Sequence, residues 1–235
     1  MKIGVKTFDN PSFLKHFEKE VDFFEVMAIE GKNYDFVKEL KKPIIIHAQH
    51  EALGINNSNK TSLEKSKSSL KFAIKVADMC NAEKIILHPG KIENENCSKE
   101  VFLSLIKDFK DERIIVENLT NQYLCSTPEE TLSLMKEANV GFCFDINHAI
   151  FTALSLKKNY LEMIKHFIQL KPSHYHIGGQ KMITNSKGHL SFQDSELDLE
   201  KIFKLIPKDA KITLEVTTDI TKTEKDIKTI KKFIH

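Results

Sequence analysis

Eight short apolar segments recur along the chain, and each is followed by a more polar stretch. The segments are rich in Ile, Val and Phe and run almost without polar alternation. Continuous apolar runs of this length are typical of parallel strands that are covered by helices on the outside of a sheet. We therefore predict strands at 2–8, 22–28, 43–49, 84–90, 113–119, 140–146, 173–179 and 211–217.

Helical patterns lie between these predicted strands. The segment 61–80 begins with a threonine and repeats apolar residues at helical spacing. The segment 126–138 begins with Ser-Thr-Pro and two glutamates, the order that helix N-termini prefer. A further helix is predicted at 221–234. Eight βα units, with no Gly-x-Gly-x-x-Gly after the first strand, predict a single (β/α)8 TIM barrel over residues 1–235, an α/β fold, rather than a doubly wound sheet.

Composition narrows the class of protein. The chain has 235 residues, of which 41% are hydrophobic, enough for a sizeable core. The formal net charge is +2, which neither requires nor excludes a nucleic-acid partner, and Arg113 is the only arginine. Arginine binds phosphate well because it can donate two hydrogen bonds at once, so its scarcity weakens the hypothesis that the chain recognises phosphate groups. The four cysteines lack Cys-x-x-Cys spacing, and no signal-peptide pattern or long apolar run occurs, so we expect a cytoplasmic protein without a membrane partner.

Histidines and acids lie at the carboxyl ends of the predicted strands, where the active sites of such barrels are found. Imidazole nitrogen and carboxylate oxygen are ligands for zinc, manganese and ferrous iron. Carboxylates buried near a core also need compensating cations. The pattern therefore predicts a metal site. In strand order the candidates are Glu25, His47, His50, His88, Glu117, Asp145, His148, His174, His176, His189 and Glu215.

Most of these residues also have a purely structural explanation when taken alone. Asp145 could be a helix N-cap, and the Pro-Gly at 89–90 could mark a turn. His174 and His176 face the same side of a strand, so we expect only one of them to be a direct ligand. Glu117 follows three β-branched residues and is the hardest to place in an apolar interior. The occurrence of such residues at six consecutive strand ends favours the metal site.

Short motifs on strands four to eight resemble the xylose isomerase-like barrel superfamily, which includes endonuclease IV and sugar isomerases and epimerases. They are His-Pro-Gly at 88–90, Val-Glu-Asn at 116–118, Asp-x-x-His at 145–148 and Leu-Glu-Val at 214–216. The ligand pattern is most similar to that of endonuclease IV, a trinuclear zinc phosphodiesterase that cleaves DNA at abasic sites. The resemblance implies metal ligands at His47, His88, Glu117, Asp145, His148, His176, His189 and Glu215.

The chain departs from the endonuclease pattern around the third metal position. Lys187 stands two residues before His189, where the endonuclease has an aspartate. Gln193 and Ser195 replace glycines. The resemblance thus implies two or three divalent ions, zinc or alternatively manganese or iron, and Lys187 is interpreted as a catalytic residue that supplies a fixed positive charge in place of an ion.

Two enzymatic hypotheses follow. The first is a hydrolase of phosphodiesters, with abasic-site DNA as one candidate substrate, in which a pair of ions supplies an activated water. One ion would be held by His47 and His88, with Glu117 as the bridge. The other would be held by Asp145, His176 and Glu215.

The second hypothesis is a one-ion isomerase or epimerase of a sugar or sugar phosphate. Its ion would be held by Glu117, Asp145, His176 and Glu215, and the two glutamates would act as the acid and base pair. A one-ion enzyme has less use for His47, His148 and His189, so these histidines favour the hydrolase. A third alternative is a barrel that binds a metal or a sugar phosphate without turnover.

Overall fold

A closed barrel of parallel strands forms the centre of the computed structural model, which describes residues 1–183 and 188–234. Neighbouring strands pair in chain order, and the last strand pairs with the first to close the barrel. The predicted (β/α)8 barrel is confirmed. The strands are β1 (Lys2–Thr7), β2 (Phe23–Ala28), β3 (Ile44–Ala48), β4 (Ile85–Leu87), β5 (Ile114–Glu117), β6 (Gly141–Asp145), β7 (His174–Ile177) and β8 (Lys211–Leu214).

Helices cover the outside of the barrel, but they do not follow the strands one by one. The connection from β2 to β3 contains a 3₁₀ helix at Asp35–Glu39, whereas two α-helices separate β6 from β7. Tyr34 fixes the first of these connections, because its hydroxyl accepts from Ile29 N at 2.8 Å and donates to Met27 O at 2.6 Å. The α-helices are α1 (Pro11–Phe17), α2 (Leu63–Met79), α3 (Lys99–Lys107), α4 (Pro128–Ala138), α5 (Ile146–Ser155), α6 (Tyr160–Gln169), α7 (Leu199–Leu205) and α8 (Ile220–Lys231).

Polar side chains begin most of these helices. Thr127 caps α4 by accepting from Glu130 N, and Pro128 follows in the first turn. Asp145, the last residue of β6, caps α5. Such caps stabilise a helix by about 1 kcal/mol each. They also fix where each strand ends and its helix begins, and this sets the height of the side chains at the barrel mouth.

The hydrophobic core has an outer and an inner part. Outside the barrel, Phe144 stacks on Phe167 at 5.0 Å between ring centroids, and this contact joins β6 to α6. Fully burying a side chain of this size contributes about 1.5–3 kcal/mol. Inside the barrel, a separate apolar cluster fills the space between the strands. It consists of Phe23, Ile45, Ile86, Ile115 and Cys143, and we call it the lower layer.

Two glycines allow close packing at the barrel mouth. Gly90 has φ +113°, a conformation that L side chains rarely adopt, in the turn after β4. A Cβ at Gly178 would lie 2.8 Å from His189 Cα and would also collide with the backbone carbonyl of Glu215. Gly178 therefore lets the loop that carries His189 pack against the end of β8. None of the helices in the described part of the chain has the length and hydropathy of a membrane-spanning segment.

Candidate metal centre

Charged and polar side chains occupy the inside of the barrel directly above the lower layer. Strand register places Lys6 beside Glu25, and Asp145 beside His176. The eight predicted ligands come together here in three groups whose ligand atoms lie within 4.8 Å of one another. We call them the first set (His47, His88, Glu117), the second set (Glu117, Asp145, His176, Glu215) and the third set (Asp145, His148, His189).

Glu117 lies at the centre of this arrangement, with only 1% of its side chain exposed. Its Oε2 is 3.2 Å from His47 Nε2, 3.4 Å from His88 Nε2 and 3.5 Å from His176 Nδ1. Its Oε1 is 3.4 Å from His148 Nδ1. One buried carboxylate is thus surrounded by four imidazoles. Because it belongs to both the first and the second set, it can bridge two cations.

Asp145 has two roles that the sequence left as alternatives. Its Oδ1 accepts from His148 N at 2.7 Å and so caps α5. Its backbone is held by Asn118, which accepts from Asp145 N at 2.7 Å and donates to Asp145 O at 2.9 Å. Its Oδ2 is buried, has no hydrogen-bond partner, and lies 3.9 Å from His176 Nδ1. The cap therefore uses one oxygen and leaves the other available as a ligand.

Backbone carbonyls fix the tautomers of two histidines. His47 Nδ1 donates to Ala48 O at 2.8 Å, and His148 Nδ1 donates to Asn118 O at 2.9 Å. Because a carbonyl only accepts, Nδ1 carries the proton in each neutral ring and Nε2 carries the lone pair. In His47 that lone pair faces the carboxylate of Glu117. Two acceptor atoms at this distance repel each other unless a proton or a cation lies between them.

Lys6 and Glu25 belong to the same centre. Lys6 Nζ lies 2.5 Å from Glu215 Oε1 and 3.2 Å from Glu25 Oε1. Burial lowers the pKa of Lys6, but the charges of Glu215 and Glu25 outweigh it and raise the pKa above its usual value. Lys6 is therefore a fixed positive charge. Sequence reasoning missed it because only histidines and acids were sought at strand ends, although Lys6 stands near the end of β1 just as the others end their strands.

In the metal-free centre, His88 and His148 hold an additional proton. Burial would raise the pKa of Glu117, but the charges of His176 and His88 hold it well below its usual value. Burial lowers the pKa of His88, and the carboxylate of Glu117 outweighs this and raises it to about 10. Burial likewise opposes charge on His148, and Asp145 raises its pKa to about 9. These protons occupy places between nitrogen and oxygen that a cation could take instead.

Three buried atoms of the second set indicate that a divalent cation fits. Asp145 Oδ2, His176 Nδ1 and Glu215 Oε2 are all buried without a hydrogen-bond partner. Leaving one such atom unsatisfied costs about 1–3 kcal/mol. The three converge in one group with Glu117, and their nitrogen and oxygen donors suit zinc, manganese or ferrous iron. One shared cation would satisfy all three atoms.

The third set is more open than the other two. His189 has φ +58° and 32% of its side chain exposed, and its Nδ1 lies 3.8 Å from Glu215 Oε2. His148 is 15% exposed. Lys187, the predicted catalytic lysine, lies outside the described residues, so its role stays a prediction.

Comparisons with known proteins agree with this architecture. The model of the family described as xylose isomerase-like TIM barrel matches residues 21–233. The comparison with curated proteins gives no match. A D-tagatose 3-epimerase-like protein is 20% identical with a TM-score of 0.79, and the match covers 100% of this chain and 97% of that one. Endonuclease IV from Thermus thermophilus is 16% identical with a TM-score of 0.75, covering 100% and 99%.

A third solved structure, the IOLI protein with a bound zinc atom, is 17% identical with a TM-score of 0.73, covering 99% of this chain and 96% of that one. At these identities the three structures share the fold with this chain. They include both an epimerase-like protein and an endonuclease, so the fold alone does not select the reaction.

Proposed function

The chain belongs to the xylose isomerase-like TIM barrel family, and we propose that it is a divalent-metal-dependent phosphoesterase that hydrolyses a phosphodiester, with zinc as the metal and abasic-site DNA as the candidate substrate. The observation that carries the proposal is the position of Glu117 in two ligand sets at once. His47 and His88 complete the first of these sets. A one-ion enzyme would need only the second set, whereas a two-ion phosphoesterase uses both.

Glu117, Lys6 and Glu215 would have different roles in this reaction. When bound, a pair of divalent ions supplies Lewis acidity and an activated water. Glu117 would supply a ligand oxygen to both ions. Lys6 holds Glu215 Oε1, so that Glu215 Oε2 faces His176 Nδ1 at 3.1 Å. Glu215 is 21% exposed and Glu117 only 1%, so Glu215 is the carboxylate that a substrate can reach.

The shape of the barrel gives the substrate one direction of approach. The lower layer closes the barrel interior beneath the centre. The exposed fractions of His148, His189 and Glu215 lie at the opposite side, in the first turn of α5, in the loop after β7 and at the end of β8 respectively. A phosphodiester would therefore enter from the carboxyl ends of the strands. Bound divalent cations, together with the positive charge predicted for Lys187, would favour an anionic substrate.

An epimerase or isomerase of a sugar or sugar phosphate is the second candidate function. The observation that favours it is the completeness of the second set, which supplies four ligands without the first. In that reaction Glu117 and Glu215 would act as the acid and base pair. Both carboxyls have pKa values held well below the usual range in the metal-free protein, because neighbouring imidazoles and, for Glu215, Lys6 outweigh the effect of burial.

The test combines metal content with one substitution. We expect wild-type protein to retain at least two ions per chain and to nick a duplex that contains an abasic site. His47→Asn should remove the first ion and lower nicking by about 10³-fold, since a catalytic metal contributes several kcal/mol. The matched control is His166→Asn, which changes an exposed histidine on α6 and should leave both readouts unchanged.

The alternatives predict different results. A one-ion epimerase would keep its single ion and its activity on a ketose in His47→Asn, because His47 is outside its ligand set. A barrel without turnover would bind metal and show neither activity. Either result would overturn the phosphoesterase proposal.

A further inference from the structure

Two carboxylates that belong to neither the first nor the second set contact ligand histidines from the side away from the centre. Glu51 Oε2 lies 3.1 Å from His88 Nδ1. Glu25 Oε2 lies 3.0 Å from His176 Nε2. In each histidine, one ring nitrogen faces Glu117 and the other ring nitrogen contacts this second carboxylate. Each of the two sets therefore contains one histidine that is held from behind by a carboxylate.

Glu51 selects the tautomer of His88. An ionised carboxylate only accepts, so His88 Nδ1 donates to Glu51, and Nε2 of the neutral ring is left with the lone pair. That nitrogen lies 3.4 Å from Glu117 Oε2 and points into the first set. Glu51 begins the 3₁₀ helix Glu51–Leu53, which is separated from the end of β3 by two residues, and His88 directly follows β4. The contact thus joins the segments that follow the carboxyl ends of two neighbouring strands, β3 and β4.

Glu25 does the same for His176 from deeper in the barrel. Its Oε2 also accepts from Thr213 Oγ1 at 2.7 Å, and its Oε1 lies 3.2 Å from Lys6 Nζ. These contacts hold the carboxylate in place and compensate its charge. His176 Nε2 donates to it, which leaves Nδ1 with the lone pair. That nitrogen is one of the three buried atoms without a partner in the second set.

The remaining histidines near Glu117 are held differently. His47 and His148 donate to backbone carbonyls, which are neutral. A carboxylate partner fixes the ring as a carbonyl does, but its negative charge also makes the opposite nitrogen a stronger donor to a metal. His88 is consequently the stronger nitrogen donor of the first set, and His176, the one histidine of the second set, is strengthened in the same way.

We propose that Glu51 and Glu25 are positioning residues, each assigned to a different metal position. Glu51 orients His88 and strengthens it for the first position, and Glu25 orients His176 and strengthens it for the second. The inference rests on the two-position centre of the proposed function, but it does not depend on which reaction takes place there. Loss of either carboxylate should weaken one position and spare the other.

Metal titration of the full metal-free chain tests this assignment. Co²⁺ is the probe, because its visible absorption reports the geometry of each position, and Zn²⁺ competition gives the affinities. His47→Asn identifies the binding step that belongs to the first position. Glu51→Gln, which keeps the shape of the side chain and removes its charge, should weaken that step by about 10- to 100-fold and change its spectrum. Glu25→Gln should instead weaken the other step to a similar extent.

Glu93→Gln is the matched control. Glu93 lies in the loop after β4, pairs with Lys91 at 3.3 Å and has 45% of its side chain exposed. This substitution removes the same charge close to the same strand and should leave both steps unchanged. If Glu25→Gln does not give the circular dichroism spectrum of the folded protein, Glu51→Gln decides the question alone.

The outcomes separate the two proposals. Two binding steps in the wild type, with Glu51→Gln indistinguishable from Glu93→Gln or weakening both steps equally, would overturn the positioning roles and leave the proposed function intact. A single step in the wild type would overturn the two-ion centre itself. Nicking assays are not needed for either conclusion.

Discussion

The lower layer and the candidate metal centre occupy the same barrel interior, one directly above the other, but the first consists of apolar side chains and the second of charged and polar ones. In the lower layer, Ile45, Ile86 and Ile115 fill the barrel with apolar side chains that need no partner. In the centre above it, Asp145 Oδ2 and His176 Nδ1 remain buried without partners. The apolar side chains of the lower layer need no ligand, whereas these two buried atoms of the centre are available to bind a cation.

A two-residue step along each strand connects the two regions. Ile45 precedes His47, Ile115 precedes Glu117, and Cys143 precedes Asp145 by two positions. Residues two apart in a strand face the same side, so the apolar residue and the ligand both point into the barrel. In each strand, the inward-facing apolar residue stabilises the fold, and the inward-facing residue two positions later is a candidate ligand. Substitutions at the two positions should therefore have separable effects.

The largest effect is expected in the centre. Glu117→Gln keeps the shape of the side chain but removes the charge shared by the first two sets. We expect metal content to fall and phosphodiester hydrolysis to drop by about 10³-fold or more, since a metal's contribution is several kcal/mol and each 1.4 kcal/mol is a factor of ten. Metal analysis and steady-state kinetics measure this. Unchanged metal content and activity would exclude Glu117 as the bridge.

The neighbouring position in the lower layer should behave in the opposite way. Ile115→Ala leaves a cavity two residues before Glu117 and should lower the free energy of unfolding by about 2–5 kcal/mol. Urea denaturation of the metal-free protein measures this loss. Zinc affinity of the folded variant should stay within a few-fold of wild type. A larger loss of affinity would show that the two layers are not separable.

Metal addition should give a smaller effect of the opposite sign. A ligand that binds only the folded state stabilises it by about 2.7 kcal/mol when its free concentration is 100 times its dissociation constant. We expect zinc to raise the melting temperature and a chelator to reverse the increase. In Glu117→Gln the increase should be reduced, while in Ile115→Ala it should persist. An equal increase in both variants would argue against binding at this centre.

The strands and the polar residues at their ends were predictable from the sequence for a physical reason. A parallel strand inside a shell of helices is apolar on both faces, so the eight runs stand out, and Glu117 is conspicuous after three β-branched residues. The same reasoning predicted that His47, His88 and Asp145 lie at one end of the barrel, where the structure also places them.

Two contacts of the centre and one connection of the barrel could not be predicted from such patterns. Lys6 reads as an ordinary solvated lysine, and only the closure of β1 against β8 brings it to Glu215. Glu51 follows β3 in a short 3₁₀ helix, and its contact with His88 depends on the path of that turn. The 3₁₀ connection between β2 and β3 departs from the expected helix because Tyr34 ties it to the strand end. The contacts of Lys6 and Glu51 join residues that are far apart in the sequence, and those of Tyr34 depend on the path of the loop between β2 and β3.

The pairing of β1 with β8 also has a consequence for biosynthesis. Lys6 and Glu215 are separated by 209 positions, yet they share one hydrogen bond in the centre. While the ribosome is still making the last βα unit, the nascent chain already holds His47, His88 and Glu117 but has no Glu215 to receive Lys6. A cation that needs all four ligands of the second set could therefore bind only after Glu215 is made, and its binding would report that the barrel has closed.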